Sequence, residues 1–97
     1  MYFVGIDVSK FKHDCAIIDE LGNVITPSWS FQNDYEGFSF LRELLDALDG
    51  KKKIGLEATG HYGQNLKLFL ENNSFSFMEF NPLLINRFVR SKSLRKT

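Results

Sequence analysis

Two acidic residues stand where a soluble chain rarely places them. Asp7 interrupts the most apolar run of the sequence, Tyr2-Phe3-Val4-Gly5-Ile6-Asp7-Val8, and Glu57 closes a second one, Ile54-Gly55-Leu56-Glu57. Burying a carboxylate costs several kcal/mol unless something positive meets it. If the two runs are neighbouring parallel strands, both acids emerge at the same end of a sheet. Converging carboxylates repel one another, and a hard divalent cation is the usual relief. Magnesium so held orients a water or hydroxyl nucleophile and stabilises charge on a phosphodiester. Either acid alone reads equally well as a hydrated strand end, so the pair carries the argument. Two carboxylates are still fewer than a two-metal centre needs.

The residues around the pair have plainer readings. Ser9 has no base beside it in sequence and is expected to shape the turn after the first strand. Lys10 is a solvated turn residue or a phosphate contact at the mouth of the site. His13 and Cys15 share a strand face but have no further soft ligands near them, so core or surface roles are expected rather than a soft metal. His61 follows Glu57 by four residues, a metal-pair spacing only within one helix, and Thr59-Gly60 separates them. Thr59 is expected to cap the second helix and Tyr62 either to stack on a base or to cover the core edge.

The elements that must position these side chains follow from patterning. Tyr2 to Val8 is a strand buried on both faces. His13 to Asp19 is a second strand, and Glu20-Leu21-Gly22-Asn23 has turn chemistry. Val24 to Phe31 is a third strand, which Pro27 confines to an edge. Asn33 and Asp34 open a helix, with Glu36 at capping-box distance from Asn33. Its stripe is Phe38, Leu41, Leu44, Leu45 and Leu48, and Gly50 closes it. Ile54 to Glu57 is a fourth strand, and a second helix from Thr59-Gly60 carries Leu66, Phe69 and Leu70. Phe75 and Phe77 alternate in a fifth strand, and Asn81-Pro82 starts a third helix with Ile85, Phe88 and Val89 inward. The order βββαβαβα is that of an α/β, RNase H-like (RuvC-like) fold, a mixed five-stranded sheet with helices on both faces. Strand three is then an edge, and strands one and four are central neighbours.

Composition sets outer bounds. With 43% hydrophobic and 25% charged residues in 97, one small domain over residues 1–97 can build a core, and ten phenylalanines predict one rich in large rings. One cysteine excludes an internal disulfide, no run is long enough to span a membrane, and the N-terminus lacks a secretory pattern, which makes the cytoplasm the expected location. The zero net charge hides an asymmetry. Residues 1–86 hold all twelve acids against seven Lys or Arg, while Arg87, Arg90, Lys92, Arg95 and Lys96 follow with no acid among them. A basic end on an acidic body fits contact with nucleic-acid phosphates, and equally a solvated helix end.

Three blocks carry a resemblance to a known family. Gly5-Ile6-Asp7-Val8-Ser9-Lys10 resembles the opening motif of the DEDD-type insertion-sequence transposases, the bridge-RNA-guided recombinases related to pilin-gene invertases. Glu57-Ala58-Thr59-Gly60 with Tyr62 resembles the second block, and Asn81-Pro82, the basic helix and Leu94-Arg95-Lys96-Thr97 the third. The resemblance implies the N-terminal RuvC-like part of a DNA transposase, with Asp7 and Glu57 as the first two of four magnesium-binding acids. The last two would lie just beyond Lys96-Thr97, so it also implies a fragment of a longer, truncated protein. Such a fragment is expected to be inactive alone and to bind magnesium weakly. In the full-length protein the resemblance implies magnesium-dependent DNA cleavage and strand transfer, a structured guide RNA, a homo-oligomer, and nucleic-acid contacts by Lys10, Arg87, Arg90, Lys92, Arg95 and Lys96. Gly63 departs from the family, which often carries a larger aromatic residue there.

Two rivals share parts of this pattern. A sugar-kinase or actin-like ATPase also opens on a strand with Gly-x-Asp, but needs a glycine-rich turn after the aspartate. Here that turn is Val8-Ser9-Lys10-Phe11. The other is a catalytically inactive nucleic-acid-binding module in which the basic end does the work.

Overall fold

In the computed structural model residues 1–57 and 61–80 are described. Their order is β1 (Tyr2–Asp7), β2 (Lys12–Asp19), β3 (Val24–Gln32), α1 (Tyr35–Ala47), β4 (Lys52–Glu57), α2 (Gln64–Asn72) and β5 (Phe77–Phe80). The expected third helix lies outside the described residues, as do Arg87, Arg90, Lys92, Arg95 and Lys96.

The five strands form one sheet in the order β3-β2-β1-β4-β5. β1 pairs antiparallel with β2 and parallel with β4, and β5 adds parallel to β4. Central β1 and β4 and edge β3 are therefore as expected. Pro27, which has no N–H to donate, sits where the β2–β3 register slips between Cys15↔Trp29 and Ile17↔Thr26, so the ladder is interrupted at the one residue that cannot support it.

Strand alternation sorts the sheet into two faces. Val4, Ile6, Cys15, Ile17, Ile54 and Leu56 share one face and join Phe38, Leu41 and Leu45 of α1 and Leu66 and Leu70 of α2 in a single core. The rings of Phe38 and Phe69 meet at 5.3 Å, so α1 and α2 lie side by side on this face. Helices were expected on both faces, and the two described ones share one. The core is also more aliphatic than ten phenylalanines predicted. Phe31 and Phe38 are buried, but Phe11 is 76% and Phe40 54% exposed, because neither lies on an inward stripe.

The entry to α1 differs in detail from the sequence expectation. Asp34, not Asn33, is the N-cap, and its carboxylate accepts from the Gly37 N–H at 2.8 Å. Gly37 rather than Glu36 therefore stands at the third helical position, and the Asn33 side chain is free for another use. Gly37 is also where α1 presses on the end of β3. A Cβ there would lie 2.0 Å from the Gln32 carbonyl oxygen.

Gly37→Ala separates propensity from packing. In an unconstrained helix the change gains about 1 kcal/mol, whereas over-packing against rigid backbone costs about 1–3 kcal/mol or more. Urea unfolding should show Gly37→Ala to be clearly destabilised. Gly5→Ala, whose added methyl meets nothing within 4 Å, should stay within about 0.5 kcal/mol of wild type. Equal stability of the two variants would contradict this packing of α1.

Candidate metal centre

Asp7 is the last residue of β1 and Glu57 the last of β4. The parallel register pairs Gly5 with Gly55 and Ile6 with Leu56, so the next step brings the two acids abreast. By alternation both point to the face opposite α1 and α2. Two residues behind them in the strands are Gly5 and Gly55, and a Cβ on Gly5 would meet nothing within 4 Å, whereas Gly55 is buried.

The two carboxyls differ in environment. Asp7 is exposed, whereas Glu57 is only 9% exposed. Burial pushes the Glu57 carboxyl up to about 7, and its hydrogen bond to Asp7 and the Asp7 charge push the same way, against the Val8 N–H. A side chain held this far from its ionised form is a donor waiting for positive charge. The donors are carboxylate oxygens, which suit a hard divalent cation.

A third acid that sequence reasoning missed stands close by. Asp14 on β2 is directly opposite Asp7 in the antiparallel register, and the Ser30 hydroxyl donates to its carboxylate. Like charges directly opposite are unfavourable in a sheet. The signal was the length of the turn after β1, which fixes the hairpin register. Among the described residues, no three His, Cys, Asp or Glu side chains converge closely enough to hold a metal.

The turn after β1 is tightly organised. The Ser9 hydroxyl donates to the Lys12 carbonyl, as its turn-shaping role requires, and the Ser9 N–H donates to His13 Nδ1 at 3.1 Å. His13 is fully buried, its ring edge-on to Phe31 at 5.4 Å. Burial lowers its pKa, against the opposing effects of Asn33, Asp14 and Asp7. Cys15 is buried too, and desolvation pushes its thiol up to about 12. Both are core residues, the first of the two roles left open by the sequence. Lys10 is exposed, with Nζ 5.1 Å from the Phe11 ring centre, and the two line a shallow groove with Lys12 and Gln32.

The β4-to-α2 connection corrects another expectation. α2 begins at Gln64 with Gly63 as its N-cap, later than the expected start at Thr59-Gly60, and Thr59 itself lies outside the described residues. Gly63 is buried, and a Cβ there would lie in ordinary contact with the Val8 side chain at 3.5 Å. His61 and Tyr62 are exposed in the turn before α2, their ring centres 4.6 Å apart.

Comparison with known proteins adds two findings. A family model described as Transposase, that of the DEDD transposases, matches residues 4–97. Among solved structures, the ethanolamine utilization protein EutJ from Carboxydothermus hydrogenoformans is similar at 16% identity and TM-score 0.52, over 84% of this chain and 37% of that one. The Aquifex aeolicus Ppx/GppA phosphatase, type II variant, aligns at 10% identity and TM-score 0.49, over 84% of this chain and 36% of that one. The chain thus spans little more than a third of either protein, and the likeness is one of fold. No curated protein matches the sequence.

The raised Glu57 pKa has a definite sign in stability. Its folded-state value lies above the ordinary 4.5, so its contribution is complete below about 4.5 and is lost as pH rises through about 7. His13 acts oppositely, since its depressed pKa removes stability as pH falls below 6.5. The difference between wild type and Glu57→Gln isolates the first effect. In metal-free thermal melts the variant should match wild type in acid and exceed it above pH about 7. Parallel curves would contradict the apposition of Asp7 and Glu57.

Proposed function

The chain belongs to the DEDD transposase family, and we propose on that basis that Asp7 and Glu57 are two of the metal-binding carboxylates of a DNA-cleaving transposase. The apposition of the two acids at the ends of the central parallel strands carries the reading. The strand order β3-β2-β1-β4-β5 supports an RNase H-like (RuvC-like) version of this α/β fold. Magnesium is the cation proposed, because the donors are hard oxygens and two of them leave most of its shell to water, other acids and substrate. Bound there, it would supply Lewis-acid stabilisation of charge on a phosphodiester. The chain's own residues do the rest. Asp7 and Glu57 would hold the cation, and Lys10, three residues past Asp7, would offer a positive charge to the DNA backbone from the adjoining turn. In the complete protein the reaction would be strand cleavage and transfer during transposition, guided by a structured RNA, with a homo-oligomer as the working unit.

An actin-like or sugar-kinase-type ATPase is the other reading, and the likeness to EutJ, at 16% identity, gives it a shared architecture and nothing finer. The turn after β1 weighs against it. Backbone N–H groups there would have to face phosphate, yet that of Ser9 is spent on His13. Stabilisation by nucleotide in a thermal shift assay would favour the ATPase.

Two outcomes test the transposase reading. In the complete protein, Asp7→Ala or Glu57→Gln should abolish recombination between donor and target plasmids while leaving the melting transition intact. Near-normal recombination by either variant would remove the catalytic assignment. Arg87, Arg90, Lys92, Arg95 and Lys96 should bind phosphates with little sequence preference. If all five engage duplex DNA, the log–log salt slope would be roughly −4 to −5, made shallower by the acidic body. Arg87→Ala/Arg90→Ala should lower it by about 2, and RNA should bind at least as well as DNA. An anisotropy titration in which affinity ignores both salt and the double substitution would mean the basic stretch is only solvated.

A further inference from the structure

Asn33 is not the helix cap its sequence context advertises, and its side chain makes a different set of contacts. The Nδ2 group donates to the Lys10 carbonyl at 3.1 Å and to the Tyr62 carbonyl at 3.3 Å. Lys10 lies three residues past Asp7, and Tyr62 five past Glu57. One amide therefore ties together the two segments that leave the carboxylate-bearing strands.

The other end of the same amide meets a second buried group. Asn33 Oδ1 and His13 Nε2 are both buried and neither closes a hydrogen bond among the described residues, although the Asn33 side chain is near enough to the ring to raise the His13 pKa. On its far side His13 accepts the Ser9 N–H at Nδ1, so in the neutral ring the proton sits on Nε2, facing Asn33. Two sets of bonds thus meet here without a hydrogen bond between them: Ser9 N–H to His13 Nδ1, and Asn33 Nδ2 to the Lys10 and Tyr62 carbonyls, with His13 Nε2 as the buried neighbour of Asn33. The reverse orientation of the amide would set its oxygen against two carbonyl oxygens, so the network fixes its sense. Asparagine suits this place because two donors are needed at one short reach. Aspartate and alanine would offer none.

We propose that Asn33, packed beside the buried His13, is a positioning residue of the Asp7/Glu57 centre: it clamps the segment after β1 to the segment before α2, and so fixes how Lys10 and Tyr62 stand relative to the two carboxylates. The proposal rests on the reading of that pair as a metal site. A purely structural asparagine would serve the helix, but α1 already has its cap in Asp34. His13 stacks on Phe38 of α1 and meets Phe31 of β3 edge-on, so the clamp is anchored in the core rather than in the loops it holds. Groups beyond the ligands that orient a metal site are worth roughly 10–100-fold in affinity when removed. Asn33 acts through backbone and belongs at the low end.

Manganese titrated into the chain, followed by broadening of the Asp7 and Glu57 amide signals, reads the centre directly. The His13 ring-nitrogen shifts and Ser9 amide exchange read the clamp. In Asn33→Ala, manganese affinity should fall by roughly tenfold, His13 should lose its single tautomer, and Ser9 should exchange faster. His13→Gln, which can still offer an acceptor and a donor, should recover more of the affinity than His13→Ala does. If Asn33→Ala does not fold, Asn33→Ser supplies the same comparison. Wild-type manganese affinity in a variant whose clamp is broken would overturn the positioning role, as would an unchanged His13 tautomer. Equal binding by wild type and Asp7→Ala would instead bring down the metal reading itself, and the positioning role with it.

Discussion

The architecture turns on the repulsion between two carboxylates that the β1–β4 ladder holds side by side. Parallel pairing leaves no freedom to separate them, since the register that aligns Gly5 with Gly55 also aligns the residues two positions on. In water two such groups drift apart. Here Glu57 is desolvated and must be protonated or paired with positive charge. Asp14, across the other ladder from Asp7, adds to the negative field from the opposite side. A protein that only needed a stable sheet end would gain by replacing one of these acids with a neutral residue, as the buried-charge balance makes plain.

The surroundings of the pair hold that end of the sheet fixed. Among the described residues the core cluster lies on the opposite face, where β1, β2 and β4 present aliphatic side chains to α1 and α2. The site face carries Gly5 and Gly55 behind the acids. The turns that border it are held from below: Ser9 by His13, and Lys10 and Tyr62 by Asn33. Preorganisation of this kind lets a charged site exist at the edge of a small domain without collapse of the loops onto it.

The strands, their order and the two acids were legible in the sequence because each rests on a local signal: an apolar run, a charge within it, a proline that forces an edge. Pro27 announced the interrupted β3, and the helical stripe of α1 named Phe38, Leu41 and Leu45 as core. What escaped were facts of register and close approach. Asp14 becomes a neighbour of Asp7 only through the hairpin register. α2 starts at Gln64 rather than near Thr59, with Gly63 as its N-cap beside Val8, a contact no local window contains. Asn33 and Asp34 both read as caps, and the choice between them fell to Gly37, which accommodates the end of β3 as no other residue could. Phe11 and Phe40 showed that a count of aromatic rings does not say which of them face inward.

Titration of the Glu57 carboxyl by NMR, without and with saturating magnesium, measures the central claim at the atoms that make it. Without metal its midpoint should lie at about 7, and magnesium should drive it well to the acid side in wild type but not in Asp7→Asn. A metal-free midpoint at the ordinary 4.5, or one that magnesium leaves in place, would contradict the account.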